Sequence, residues 1–225
     1  GLMSNFSFYY AHHMSTIEGG MICTNDSDLY EIVRMLRSHG MVRESSSSDL
    51  KETFYRNYPD LNPDFIFAFP AYNVRSTEIN AVIGRSQLKR LDANNRIRSE
   101  NLKLFLEQLD PEKYQTDFVT AGSCNYAFTL VLNRADPVLC ENVMQMMRRH
   151  NVEFRRGTSG GGNQLRQPYL RTIMGEREFE NYPNVDHVHF YGFYIGNYPD
   201  LEREKIQQLC SLLNSVSGEE ARYVS

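Results

Sequence analysis

Residues 6–20 read FSFYYAHHMSTIEGG. Ser7 stands between two phenylalanines, as at the end of a strand, and the glycine pair that closes the segment introduces a second short strand over residues 19–24. Two adjacent histidines, His12 and His13, lie between these strands. Because free histidine has a pKa of about 6.5, an imidazole here can move protons at neutral pH, and the segment is a candidate for acid–base chemistry.

The rest of the chain alternates helical and strand patterns, which indicates an α/β protein. Apolar residues at helical spacing predict helices over 29–36, 76–109, 137–150 and 201–216, and strands are predicted at 126–132, 152–155 and 187–195. Residues 44–63 contain four consecutive serines and several turn signals, so we expect a long exposed loop there. We interpret the long helix as the connection between two domains, residues 1–110 and 111–225.

Composition limits the function. The 225 residues are 41% hydrophobic, which suits a globular protein, and the net charge of -4 gives no basic field for nucleic acid or an anionic membrane surface. No apolar run can span a bilayer and no signal peptide is visible, so we expect a cytoplasmic protein. The four cysteines are scattered, so neither a zinc site nor an iron–sulfur cluster is expected.

Two motifs resemble those of the DegT-type sugar aminotransferases, which use pyridoxal phosphate (PLP). Residues 6–20 resemble the family pattern F-S-F-x-x-x-K-N-x-x-x-x-E-G-G, and residues 70–79, PAYNVRSTEI, are similar to P-G-Y-N-x-R-x-x-E-x. The resemblance implies the C-terminal part of the PLP-dependent transferase fold: the end of the large α/β/α domain and a small α+β domain, joined by a long helix. Since that family's large domain begins well before its lysine, the chain is expected to be a fragment, inactive when isolated.

The alignment places His12 on the lysine that tethers the cofactor in this family. Imidazole cannot form a stable imine with the cofactor aldehyde, so the resemblance implies a cofactor held without a covalent bond and used as pyridoxamine phosphate. This substitution resembles the sugar 3-dehydratase branch, in which histidine both accepts and returns a proton. His39 resembles a second histidine of these active sites. An ordinary loop histidine and a helix C-terminal histidine remain the alternatives for His12 and His39.

The resemblance assigns the other candidate residues. Ser7 matches a serine that binds the cofactor phosphate, and Asn73 and Arg75 match residues that reach the neighbouring subunit's cofactor and substrate, which implies a homodimer. Asn163 and Arg166, which follow a glycine-rich loop at 157–162, could contact the sugar nucleotide or the carboxylate of an amino donor. A structural alternative remains for each group. Ser7 could bond with nearby backbone at a strand end, and Asn73 and Arg75 could form a turn and cap a helix. Asn163 and Arg166 could belong to a flexible connection at the surface.

The family therefore implies 3-dehydration of a 4-keto-6-deoxy sugar nucleotide in deoxysugar or polysaccharide biosynthesis, with glutamate as amino donor. Transamination of a keto sugar and a catalytically inactive homologue remain alternatives. One branch of the dehydratases uses a cysteine-bound iron–sulfur cluster, and the scattered cysteines do not match that branch. The nucleotide and the sugar are not identified by the sequence.

Overall fold

The first of two compact units in the chain, Gly1–Leu91, begins with an antiparallel hairpin. Its helices and strands are β1 (Met3–Ser7), β2 (Gly20–Thr24), α1 (Ser27–Leu36), α2 (Ser48–Asn57) and α3 (Glu78–Leu88). The predicted strand at 19–24 and helix at 29–36 are confirmed, and Asp26 begins α1 by accepting a hydrogen bond from the Leu29 N–H at 2.9 Å. The unit buries a small apolar group, Met35, Met41, Val42 and Ile66.

The second unit runs from Asp92, and the computed structural model describes the chain as far as residue 218. Its elements are α4 (Leu91–Gln108), β3 (Ala127–Val131), α5 (Pro137–Arg149), β4 (Phe154–Arg156), α6 (Pro168–Met174), α7 (Pro183–Tyr191), β5 (Gly192–Gly196) and α8 (Arg203–Ser215). Strand β5 lies between β3 and β4 and pairs antiparallel with both. This is the α+β arrangement predicted for the second half of the chain.

One apolar core holds the second unit together. It is formed by side chains of α4, α5, α8 and the sheet, among them Phe105, Phe128, Leu130, Val143, Met147, Phe193, Ile206 and Leu213. Since α4 contributes to this core, the second unit begins at the start of this helix. The sequence placed the domain boundary at residue 110, after this helix, and that boundary stays a prediction.

The loop predicted over residues 44–63 is wrong in part, because α2 occupies its middle. The serines that indicated a loop have other uses: Ser47 caps α2 by accepting a hydrogen bond from the Leu50 N–H at 3.2 Å. Ser45 donates to the Glu31 carboxylate at 2.6 Å, and the Ser46 N–H donates to it at 2.8 Å. Burial of Glu31 opposes ionisation, but these hydrogen bonds prevail and hold its pKa below the ordinary value.

The single long helix predicted over residues 76–109 is also wrong, since α3 and α4 are separate helices. Neither glycine nor proline marks the break at Lys89 and Arg90. There the Arg90 N–H donates to the Gln87 carbonyl, three residues back, at 3.1 Å. The tighter turn ends one helix before the next begins.

The strand predicted over 187–195 is confirmed only at its end. Pro183 occupies the first turn of α7, which continues to Tyr191, and β5 begins at Gly192. Aromatic and β-branched residues favour strands only weakly. The proline at the start of α7 therefore outweighed them, and the segment formed a helix. None of the helices described between residues 1 and 218 is long and apolar enough to cross a bilayer.

Candidate active site

The candidate catalytic segment is the loop over residues 8–19 that joins β1 to β2. Ser7 ends β1 directly opposite Gly20, so the two strands bring both ends of the loop together. The Phe8 N–H donates to the Gly19 carbonyl at 2.9 Å, and the Thr16 N–H donates to the Phe8 carbonyl at 2.8 Å. These backbone hydrogen bonds close the loop, and His12 lies on the segment enclosed between Phe8 and Thr16.

Tyr9 links the two residues on which the family resemblance depends. Its N–H donates to the Ser7 hydroxyl oxygen at 3.3 Å, and its carbonyl accepts a hydrogen bond from the His12 N–H at 3.1 Å. The Tyr9 ring also meets the half-buried His12 ring edge-on, with centroids 6.4 Å apart. The structure therefore places Ser7 two residues before the turn Tyr9–His12, and a hydroxyl that accepts a hydrogen bond still has its own hydrogen to donate.

His39 and Asn73 lie on two segments that pair with each other. Ser38 and Asn73 form an antiparallel bridge, and the His39 N–H donates to the Tyr72 carbonyl at 2.6 Å. His39 lies beyond α1 with a φ of 60°, a left-handed conformation uncommon for residues other than glycine, and its side chain is exposed. The pairing brings these two predicted site residues together.

Arg75 lines a cavity of about 660 Å³ beside the hairpin, together with Phe6, Glu18, Gly20 and Arg37. The walls come from both strands, from α1 and from residues 74–76, all within the first unit. Arg75 therefore shares a cavity with the end of the His12 loop. A guanidinium in such a wall can bind a phosphate or a carboxylate.

Asn163 and Arg166 belong to the second unit, where both bind Asp186. Arg166 donates twice to that carboxylate, at 2.7 and 2.5 Å, and Asn163 donates to it at 2.9 Å. The guanidinium carbon lies 3.9 Å from the Phe179 ring centroid and 4.9 Å from that of Phe190. Hydrogen bonds from Arg166 lower the pKa of Asp186, against the effect of burial, and Asn163 adds to this.

These contacts anchor the glycine-rich loop. The buried Asn163 also accepts a hydrogen bond from the Leu165 N–H at 3.0 Å, and its own N–H donates to His189 Nδ1 at 3.1 Å. Thr158, within the loop, has a φ of 61°. The side chains of Asn163 and Arg166 thus hold this loop in place, and their predicted contacts with substrate stay predictions.

Sequence reasoning missed three residues that shape these sites: Thr16, Asn80 and Asp186. Asn80 follows Thr77 by three residues, a spacing that signals a helix start. That signal carries no information about the loop that Asn80 also contacts. Asp186 lies 20 residues from Arg166 in the sequence, and no local pattern marks the pair.

No metal centre accompanies these residues within the described range, 1–218, where no group of three or more His, Cys, Asp or Glu side chains could hold a metal ion. The four cysteines are free thiols, and two of them, Cys140 and Cys210, are buried. Burial raises the pKa of Cys210 to about 12. Its thiol therefore stays protonated at neutral pH and packs as part of the core.

With the fold and these residues in place, the class of protein follows. Residues 1–214 match the DegT/DnrJ/EryC1/StrS aminotransferase family, and the chain belongs to that family. The resemblance in the two motifs is thereby confirmed, as is the mixed α/β fold.

Among its relatives is the GDP-4-keto-6-deoxy-D-mannose 3-dehydratase of Escherichia coli O55:H7 (strain CB9615 / EPEC). It is 28% identical over 199 residues, which cover 88% of this chain and 50% of that protein. The structure of E. coli GDP-4-keto-6-deoxy-D-mannose-3-dehydratase with bound hydrated PLP superposes with a TM-score of 0.77, at 27% identity over 95% of this chain and 54% of that one.

A second solved structure, GDP-4-keto-6-deoxymannose-3-dehydratase with a trapped PLP-glutamate geminal diamine, gives a TM-score of 0.75. It is 26% identical and covers 95% of this chain and 55% of that chain. The chain therefore spans about half the length of the relatives it matches.

Proposed function

We propose that the protein removes the 3-hydroxyl group of a 4-keto-6-deoxy sugar nucleotide with the help of pyridoxamine phosphate. The single observation that carries this proposal is an imidazole, His12, on the loop where the family has its tethering lysine. The comparisons support it, since a sequence relative matched over 88% of this chain and a solved structure matched over 95%, both from E. coli, are named as a 3-dehydratase of a GDP-linked 4-keto-6-deoxy sugar.

The residues of the hairpin fit a cofactor held without a covalent bond. The chain has no lysine before Lys51, which lies in α2, away from the loop sequence. Ser7 presents a hydroxyl at the end of β1, two residues before the turn that includes His12, and Asn73 presents an exposed amide. Both are neutral donors suited to a phosphate. When bound, pyridoxamine phosphate supplies the amine that condenses with the 4-keto group and a methylene made acidic by that condensation.

His12 then does the proton transfers. One ring nitrogen accepts the proton released at the methylene, and the same nitrogen returns it to the departing 3-hydroxyl group, which leaves as water. Imidazole can serve in both directions at neutral pH because its two protonation states are close in free energy there. The half-buried position of the ring, against Tyr9, restricts it to few orientations.

We assign Arg75 to the anionic diphosphate of the substrate and Asn163 and Arg166 to a substrate-facing loop that Asp186 holds in shape. His39 serves as a second polar group beside Asn73. The proposal includes a homodimer, in which Asn73 and Arg75 complete the partner subunit's site, and glutamate as the amino donor. The structure with a trapped PLP-glutamate adduct supports that choice of donor.

The protein at its full natural length should be incubated with a GDP-linked 4-keto-6-deoxyhexose, glutamate and PLP, and the sugar product analysed by mass spectrometry and NMR. The expected product lacks the 3-hydroxyl group and retains no nitrogen, because hydrolysis restores the 4-keto group and releases the nitrogen as ammonia, and glutamate then replaces the cofactor amine. A stable amino sugar would contradict the proposal and support transamination, which the family name also allows. Absence of both products, with no solvent exchange at the cofactor methylene, would indicate an inactive homologue.

The role of His12 is tested by H12N, with H13N as the matched control. We expect H12N to lose dehydration by about 100-fold or more, the usual contribution of a general acid–base group. H13N should stay within a few-fold of the wild-type rate, since His13 aligns with a variable family position. H12K is expected to form a covalent Schiff base with PLP, seen by its absorbance and by trapping with borohydride. Wild-type activity in H12N would contradict the assignment.

A further inference from the structure

We propose that Asn80, in the first turn of α3, is a positioning residue that holds the His12 loop in its working arrangement. This role rests on the proposed function, in which His12 moves the protons. Asn80 lies outside both sequence motifs and acts through the loop backbone.

The Asn80 amide makes four hydrogen bonds. Its Nδ2 group donates to the Thr16 carbonyl at 3.0 Å and to the Glu18 carbonyl at 3.1 Å, 64 and 62 residues away in the sequence. Its Oδ1 accepts hydrogen bonds from the Thr77 N–H at 3.1 Å and from the Thr77 hydroxyl at 2.7 Å. Two carbonyl acceptors on one side and two donors on the other fix the orientation of the amide.

The two carbonyls bound by Asn80 flank a strained residue. Ile17 lies between them with a φ of 74°, a left-handed conformation that is strained for a β-branched residue. A single NH₂ group that donates to both neighbouring carbonyls holds this conformation in place. Such strain persists only where the surroundings over-determine it, and it is concentrated at functional sites.

The clamp extends to the catalytic half of the loop through Thr16. Thr16 is 4% exposed, its N–H donates to the Phe8 carbonyl at 2.8 Å, and its hydroxyl donates to the Glu18 carbonyl at 2.8 Å. His12 lies on the segment enclosed between Phe8 and Thr16. Its backbone position is therefore set by the end of the loop that Asn80 holds.

The decisive variant is N80D. A carboxylate keeps an acceptor for Thr77 and suits the N-terminus of α3, so the helix start is retained. It removes the NH₂ donor and turns an oxygen toward the Thr16 and Glu18 carbonyls. The matched control is S86D, which places a new carboxylate at an exposed position of the same helix, six residues from Asn80.

Amide hydrogen exchange is measured on the whole protein, together with kcat and KM for dehydration. In N80D we expect the Thr16 and Phe8 amides to exchange at least about 10-fold faster, and kcat to fall about 10- to 100-fold with KM within a factor of about 2, because small misplacement of a reacting group has effects of that size. S86D should keep wild-type exchange in the loop and a kcat within a factor of about 2.

Two results would overturn the inference: unchanged loop exchange in N80D, or faster loop exchange with an unchanged kcat. The exchange arm is independent of the chemistry. If the wild-type protein shows no dehydration, the proposed function fails, while faster loop exchange in N80D alone would still support the clamp.

Discussion

The hairpin that carries His12 and the three-stranded sheet of the second unit place their strands in opposite surroundings. All five residues of β1 are exposed, whereas four of the five in β3 are buried. Phe6 in β1 is 48% exposed, and Phe128 in β3 is fully buried. The sheet of the second unit is ordered by apolar packing, while the candidate site is ordered by hydrogen bonds to backbone carbonyls. The two regions should therefore respond to different substitutions.

The largest expected effect is on the free energy of unfolding, and it distinguishes the packed sheet of the second unit from the exposed hairpin. Phe128 stacks on Phe105 with ring centroids 4.4 Å apart, both fully buried. We expect F128A to lower the free energy of unfolding by about 3–5 kcal/mol, through lost burial and the cavity left behind. F6A, the matched substitution in the hairpin, should cost less than about 1 kcal/mol because that ring is half exposed. Urea unfolding of this 225-residue chain, followed by circular dichroism, measures both, and similar losses would contradict the contrast.

A smaller effect on the free energy of unfolding is expected at Asp186, whose carboxylate binds Asn163 and Arg166 beside the glycine-rich loop. The pKa of this carboxyl is depressed in the folded protein, chiefly by hydrogen bonds from Arg166. Its stabilisation is therefore complete above the pKa of an unfolded aspartate, about 3.9, and is lost as the pH falls through the lower folded value. At pH 7 we expect D186N to lose about 2 kcal/mol, as for hydrogen bonds between charged groups.

The control for D186N is E107Q, which removes an exposed ion pair with Lys103. Such pairs contribute about 0–0.5 kcal/mol, so E107Q should be close to wild type at every pH. Unfolding free energies compared at pH 7 and pH 3 should show that the wild type loses more than D186N does on acidification. An equal loss in both proteins would mean that Asp186 does not carry this pH dependence.

The sequence predicted elements whose signals are local. The apolar spacing over residues 29–36 predicted α1, and the same spacing predicted α5 and α8. It failed at α2, where Ser47 acts as a helix cap among serines typical of a loop, and at α7, whose aromatic residues resemble a strand. In both cases the local composition favoured another structure, but a capping residue or a proline in the first turn started a helix.

The family resemblance named the candidate site residues, and their roles stay predictions. The structure places Ser7 two residues before the turn Tyr9–His12, and it places His39 and Asn73 on paired segments. The contacts that hold these residues were not predictable, because Asn80 binds carbonyls more than 60 residues away and backbone acceptors carry no residue identity. Such a contact exists only once the fold has formed.

The smallest expected effect on stability is at Gly84, one turn beyond Asn80 in α3. A Cβ added there would lie 3.2 Å from Thr16 Cγ2, closer than ordinary contact. Alanine favours a helix over glycine by about 1 kcal/mol, and the crowding of Thr16 offsets part of this gain. We expect G84A to change the free energy of unfolding by less than about 1 kcal/mol in either direction.

Its effect on the loop should be larger than its effect on stability. Thr16 must move away from α3, which lengthens the contact between its carbonyl and Asn80, so the Thr16 amide should exchange faster and kcat should fall several-fold. S86A, an exposed substitution in the same helix, improves helix propensity without touching the loop and should leave both unchanged. If G84A and S86A have the same loop exchange, the face of α3 that carries Asn80 and Gly84 does not control the His12 loop, and hydrogen bonding within the loop alone must order it.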